Sequence, residues 1–159
     1  MTRAHRRYLA TEAAIAAVIN AVLSLVFVLL VFGGRAQVPV SGSGGVIPDA
    51  LPQSFMVALM SCLVPTLLTR RRLASGTIPA LPATRRWPRS SLARALSMAV
   101  VAAVLAWCLQ ALSLPPTGPA WRFSTLLVFK CAFGAGLGTA VALFSARMAL
   151  SDEPLADSS

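Results

Sequence analysis

The chain has 159 residues, of which 57% are hydrophobic and only 12% charged, and its mean hydropathy is +0.74. A soluble domain carries about 25% charged residues, so too little polar surface is present here to coat a water-soluble globule, and the connections outside the apolar runs are shorter than the roughly 50 residues an independent domain needs. The net charge of +9 is therefore assigned to anionic lipid headgroups and not to nucleic acid, since no soluble module exists to present it.

Four apolar runs follow one another: Tyr8–Phe32, Leu51–Thr69, Leu92–Leu114 and Phe123–Leu150. Each approaches or exceeds the ~20 residues that a helix needs to cross a ~30 Å hydrocarbon layer. The expected fold is all-α: one four-span transmembrane domain over 1–150, an antiparallel bundle, followed by a disordered acidic tail over 151–159. The first run follows a basic Met1–Arg7 segment and ends at Gly33-Gly34. It exceeds the 7–15 residues of a secretory apolar region and is read as a retained span.

The first loop holds Ser41-Gly42-Ser43-Gly44-Gly45 between Pro39 and Pro48, which predicts a flexible connector. Asp49 is placed to cap the second span, and Pro52 suits a first helical turn. Pro65 lies deeper and is expected to bend the helix, with Ser61 and Thr66 at hand for the freed carbonyl. The second loop mixes arginines with Pro79, Pro82 and Pro88. Arg70, Arg71, Arg72, Arg85 and Arg86 are assigned to lipid phosphates, with Trp87 as an anchor at headgroup depth. Trp121 marks the opposite interface. The short third loop, with Pro115, Pro116 and Pro119, is expected to make the third and fourth spans antiparallel neighbours.

Arginine placement sets an orientation. Arg3, Arg6 and Arg7 precede the first span. Arg70 to Arg72, Arg85, Arg86, Arg89 and Arg94 surround the second loop, and Arg147 closes the fourth span. Only Arg35 and Arg122 flank the other side. The imbalance predicts both termini in the cytoplasm of a bacterium, with the protein in the inner membrane.

Few residues inside the spans are suited to more than packing. Lys130 falls about 10 Å below the outer end of the fourth span. Two readings compete: the side chain snorkels to the outer headgroups, or it turns inward to a polar cluster with Asp49, Gln110 and Asn20. Lys130, Gly134 and Gly138 share one helical face, and Gly134-x-x-x-Gly138 is a close-packing pattern. Ala132, Gly136 and Ala140 form a second small face, suited to a further helix or a second copy. Alanine stripes also mark the first and third spans. Glu12, Ala16, Asn20 and Ser24 share a face of the first span, and an ion pair between Glu12 and nearby arginines is expected. Cys62, Cys108 and Cys131 form no metal-ligand spacing with His5 and are read as packing residues.

No HExxH, GxSxG or phosphate-loop pattern is present, and no cofactor is expected. The sequence points to a small membrane protein without catalysis of its own, an accessory or assembly subunit whose partners are lipids and a larger membrane complex or further copies of itself. The alternative is a small oligomeric transporter or channel that uses Lys130 and Glu12.

Overall fold

The structure is a computed structural model of the chain and describes residues 3–81, 90–114 and 118–151. Among the described residues four helices, α1 (Arg3–Phe32), α2 (Val46–Ala74), α3 (Ser91–Ser113) and α4 (Phe123–Leu150), alternate with two short strands, β1 (Gln37–Val38) and β2 (Trp121–Arg122). All four helices are long and apolar enough to span a membrane. At ~1.5 Å per residue they measure about 35–45 Å, against ~30 Å of hydrocarbon. Large apolar side chains such as Val18, Leu30, Leu105 and Leu112 point outward, as lipid-facing positions of a multi-pass membrane protein do. The acidic tail and the segment with Arg85, Arg86 and Trp87 lie outside the described residues.

Burial follows a four-residue period. On α1 the buried stripe is Tyr8, Glu12, Ala16, Asn20, Ser24, Val28 and Phe32. On α4 Lys130, Gly134 and Gly138 lead into Ala142 and Ala146. Two adjacent stripes of α2 are buried, one through Asp49, Gln53, Val57, Ser61 and Thr69, the other through Ser54, Ala58, Cys62 and Thr66. The double stripe makes α2 the central helix. It packs broadly against both α3 and α4, while α1 packs mainly against α4. The expected α3–α4 neighbour pair is not formed as a broad interface; α4 meets the α2–α3 pair through Val141 and Leu137. The reason lies in the faces and not in the loop. The glycine face of α4 accepts α1, and the alanine face of α3 (Ala95, Ala99, Ala102) accepts Ala58 and Cys62 of α2.

The α1–α4 contact is close because Gly134 and Gly138 have no side chain. A Cβ at Gly134 would collide with Ser24 Oγ, and one at Gly138 with the Asn20 amide. Gly136, two residues from each and so on another side of the same helix, faces open space. Van der Waals contact of this kind must hold membrane helices together, since lipid tails provide no hydrophobic drive for it.

The first loop is not a simple connector. β1 pairs antiparallel with β2, Gln37 opposite Arg122 and Val38 opposite Trp121. Val46 N–H and Ile47 N–H donate to the carbonyls of Pro39 and Val40, both at 3.0 Å. Gly42 and Gly44 take positive φ values of 83° and 79°, dihedrals that glycine adopts without steric cost. They turn the chain so that Val38, Val40 and Val46 are buried. Val38 and Val46 join Val28, Phe32 and Leu126 in an apolar cluster against which Leu114, Trp121 and Phe129 pack. The Ser-Gly segment thus folds into a cap over the helix ends opposite the two termini of the chain. Trp121 stacks edge-on against Phe129, ring centroids 5.1 Å apart, so its ring is part of the cap.

The helix ends differ from expectation in the same region. α2 begins at Val46, with Gly45 as an N-cap that makes no side-chain bond. Asp49 is therefore inside the first turn and is not the capping residue. At the other end α2 runs to Ala74, so Arg70, Arg71 and Arg72 are helical. α2 also continues through Pro65. Neither nearby hydroxyl turns back to the freed carbonyl: Ser61 donates to Asn20, and Thr66 Oγ1 has no partner among the described residues. The three cysteines are free thiols, and Cys62 is a core residue.

The two glycine faces give a direct test. Gly134→Leu should lower stability by about 1–3 kcal/mol through overpacking, whereas Gly136→Leu should leave thermal unfolding in detergent close to wild type. Equal melting of Gly134→Leu and wild type would show that α1 does not approach α4 as described.

Candidate functional site

Lys130 is fully enclosed, at 0% exposure. Its stem does not snorkel. Nζ donates to Asp49 Oδ2 at 2.9 Å and to the Val46 carbonyl at 3.3 Å. The early start of α2 produces this pairing: three residues of extra helix turn the Asp49 carboxylate inward, where the α2 N-terminus also favours negative charge. Above the pair lies the apolar cap built on Val38 and Val46. A lone charge at such depth is costly, and pairing with hydrogen bonds offsets most of that cost.

The other two residues expected in this cluster are elsewhere. Asn20 Nδ2 donates to the Ala16 carbonyl at 2.7 Å, and its Oδ1 accepts from Ser61 Oγ at 3.1 Å. Gln110 is buried, but neither of its amide atoms has a hydrogen-bond partner among the described residues. Lys130 and Asp49 therefore form a pair, not a four-residue cluster. The geometric reason is depth. Asn20 faces Gly138, two turns below Lys130 on α4, and Gln110 belongs to α3, which packs on the far side of α2.

At the opposite end, Glu12 is buried and accepts from Arg72 Nη1 at 3.0 Å. The Arg72 guanidinium also lies over the Tyr8 ring, 4.9 Å from its centroid, and Tyr8 Oη and Thr69 Oγ1 share a 2.7 Å hydrogen bond. The ion pair expected between Glu12 and nearby arginines is made with Arg72, at the far end of α2, and the Glu12 carboxylate is buried in it. His5 Nε2 donates to the Pro79 carbonyl at 2.9 Å, and Leu81 N–H donates to the Leu150 carbonyl at 2.8 Å. These bonds fasten the start of the second loop across α1 and α4. Arg70 Nη1 donates to Ser91 Oγ at 2.6 Å, joining α2 to α3. Of the three consecutive arginines, Arg71 is exposed, and Arg70 and Arg72 are half-buried.

Between the two ion pairs runs a seam of buried polar side chains on α1 and α2. Asn20 and Ser61 occupy its middle. One turn below Asp49 on the same face of α2 is Gln53. One turn below Lys130 on α4 is Gly134, which abuts Ser24. Gln53 and Ser24 therefore lie at a common depth beneath the Lys130–Asp49 pair. Among the described residues the amide of Gln53 and the hydroxyls of Ser24 and Ser54 have no hydrogen-bond partner. Buried polar groups are ordinarily bonded, so this stretch can donate to or accept from a small polar species. Gln53, Ser54, Tyr8, Thr69 and the Arg72–Glu12 pairing escape a reading of the sequence by span. The four-residue spacing of Asp49, Gln53, Ser61 and Thr69 was the available signal.

No family model, curated protein or solved structure matches this chain.

The enclosed pair predicts an asymmetric mutational cycle. Lys130→Met or Asp49→Leu alone should each cost about 3–5 kcal/mol, because one charge is stranded, while the double substitution should be near neutral. Thermal unfolding in detergent measures the cycle. Additive single effects would mean that the two residues are not coupled. Glu12→Gln should cost no more than about 1 kcal/mol, since Arg72 is partly exposed.

Proposed function

We propose that this chain is an accessory or assembly subunit of the bacterial inner membrane: four helices in an antiparallel bundle, both termini cytoplasmic, without catalytic activity of its own. The observation that carries the reading is the state of Lys130. Within the fourth span it is enclosed, doubly hydrogen-bonded and covered by an apolar cap. An ion pair so placed fixes helix positions and offers nothing to a passing substrate. The basic residues support the orientation. Arg3, Arg6, Arg7, Arg70 to Arg72, Arg94 and Arg147 fall at one end of the helices, and Arg35 and Arg122 at the other. That bias is the signature of a cytoplasmic face. A larger membrane complex or further copies of the chain are the partners this reading implies.

One observation favours the transporter or channel instead. Lys130 and Glu12 stand near opposite ends of the seam, and Ser24, Gln53 and Ser54 between them have unused polar atoms. Ionisable groups in membrane helices commonly mark ion or proton paths.

Two measurements decide. A reporter fused after Leu150 should be active only in the cytoplasm, and a tag inserted at Gly42 should be reached only from outside; the reverse result removes the orientation. Purified protein in liposomes should pass protons and alkali cations no faster than empty vesicles. Flux that is lost on Lys130→Met or Glu12→Gln would replace the accessory reading with transport.

A further inference from the structure

Because α3 and α4 part company, an apolar groove of about 550 Å³ opens between them. The second small face of α4 forms one wall, with Ala132, Gly136 and Ala140; Met98, Leu105 and Leu109 of α3 form the other. The lining runs from Met98 to Leu109 on α3 and from Ala132 to Phe144 on α4, roughly 17–18 Å of helix at ~1.5 Å per residue. One leaflet is about half of a ~30 Å core, or roughly 15 Å. The groove has the length of a single acyl chain.

Its end nearest the basic helix termini is charged by one exposed side chain. Arg94, one turn beyond Met98 on α3, is buried at 3% exposure and does not line the groove. Arg147 lies one turn beyond Phe144 on α4 and is exposed. Each is three residues from its helix end, so both stand at headgroup depth.

We propose that this groove is a binding site for an anionic phospholipid, with one acyl chain between α3 and α4 and the phosphate drawn to Arg147. The assignment to the cytoplasmic leaflet rests on the orientation proposed above; the binding itself does not.

Native mass spectrometry from nanodiscs of equal phosphatidylglycerol and phosphatidylcholine tests the site. Both leaflets then have one composition, so the result is independent of which face the arginines take. Wild-type protein should retain phosphatidylglycerol over phosphatidylcholine by about fivefold, the weight of one basic side chain at an anionic surface. Arg147→Gln should bring that ratio toward one while lipid is still retained. Gly136→Leu should abolish retention of both lipids, since a Cβ there meets no protein atom within 4 Å and the side chain projects into the groove. Circular dichroism matching wild type establishes that each variant is folded; if Gly136→Leu is not, Ala140→Leu on the same wall gives the reading. Equal retention of the two lipids by wild type overturns the proposal. So does undiminished retention by the folded groove-filling variant. A lipid-free dimer that this variant converts to monomer also overturns it, and assigns the groove to a second copy.

Discussion

The contact between Lys130 and Asp49 sets the rotation of two helices. A charge enclosed at that depth must meet its counter-charge, so α4 has to present Lys130 to α2, and α2 has to begin early enough to turn Asp49 inward. Everything else on α4 follows from its period. Gly134 and Gly138 lie on the lysine stripe and so face the interior, where Ser24 and Asn20 of α1 press against them. Ala132, Gly136 and Ala140 are rotated off that stripe and so face the α3 side. A single ion pair thereby decides which of the two small faces binds α1 and which is left beside the groove.

The pair in turn depends on the cap. Asp49 is close to the outer end of α2, where water would weaken its attraction to Lys130. The Pro39–Val46 segment prevents that by folding back over the helix ends, with Val38, Val40 and Val46 buried. Its hydrogen bonds to Val46 and Ile47 fix the first turn of the same helix that carries Asp49. Loop, helix start and ion pair are one cooperative unit. The carbonyl of Val46, which accepts from Lys130, belongs to all three.

The spans, and Asp49 as the candidate partner of Lys130, were legible because each rests on a one-dimensional rule; that Lys130 turns inward instead of snorkelling was left open by the sequence. Span length counts apolar residues. The partner of Lys130 follows from depth, since Asp49 is the one carboxylate on that side of the sequence. The cap was not legible, because glycine and serine between prolines read as a flexible linker when the buried valines are overlooked. Val38 and Val40 already show the alternation of a strand that buries one face. Helix order was misread for another reason. A short loop between α3 and α4 limits how far apart their ends can be, but it does not choose their neighbours. Side-chain faces do, and the alanines of α3 match Ala58 and Cys62 of α2 better than the flank of α4. Gln110 and Asn20 were grouped with Lys130 from rough depth alone, which resolves neither the two turns between Asn20 and Lys130 nor the packing of α3 mainly on α2.

The interfaces are also unequal in kind, and this bears on where the molecule can adapt. α1, α2 and α4 are joined by directional contacts at three depths: Glu12 with Arg72, Asn20 with Ser61, and Lys130 with Asp49. Such contacts have one geometry, and a shift of α2 by one turn breaks all of them. α3 is joined to α2 largely by alanine packing, with the Arg70–Ser91 hydrogen bond at one end. Alanine faces slide and tilt at lower cost than hydrogen-bonded pairs, because no single donor has to find a new acceptor. The width of the α3–α4 groove is therefore set by an interface made mostly of alanine packing. A ligand seated there would act on the position of α3 while the three-helix unit around Lys130 stayed fixed.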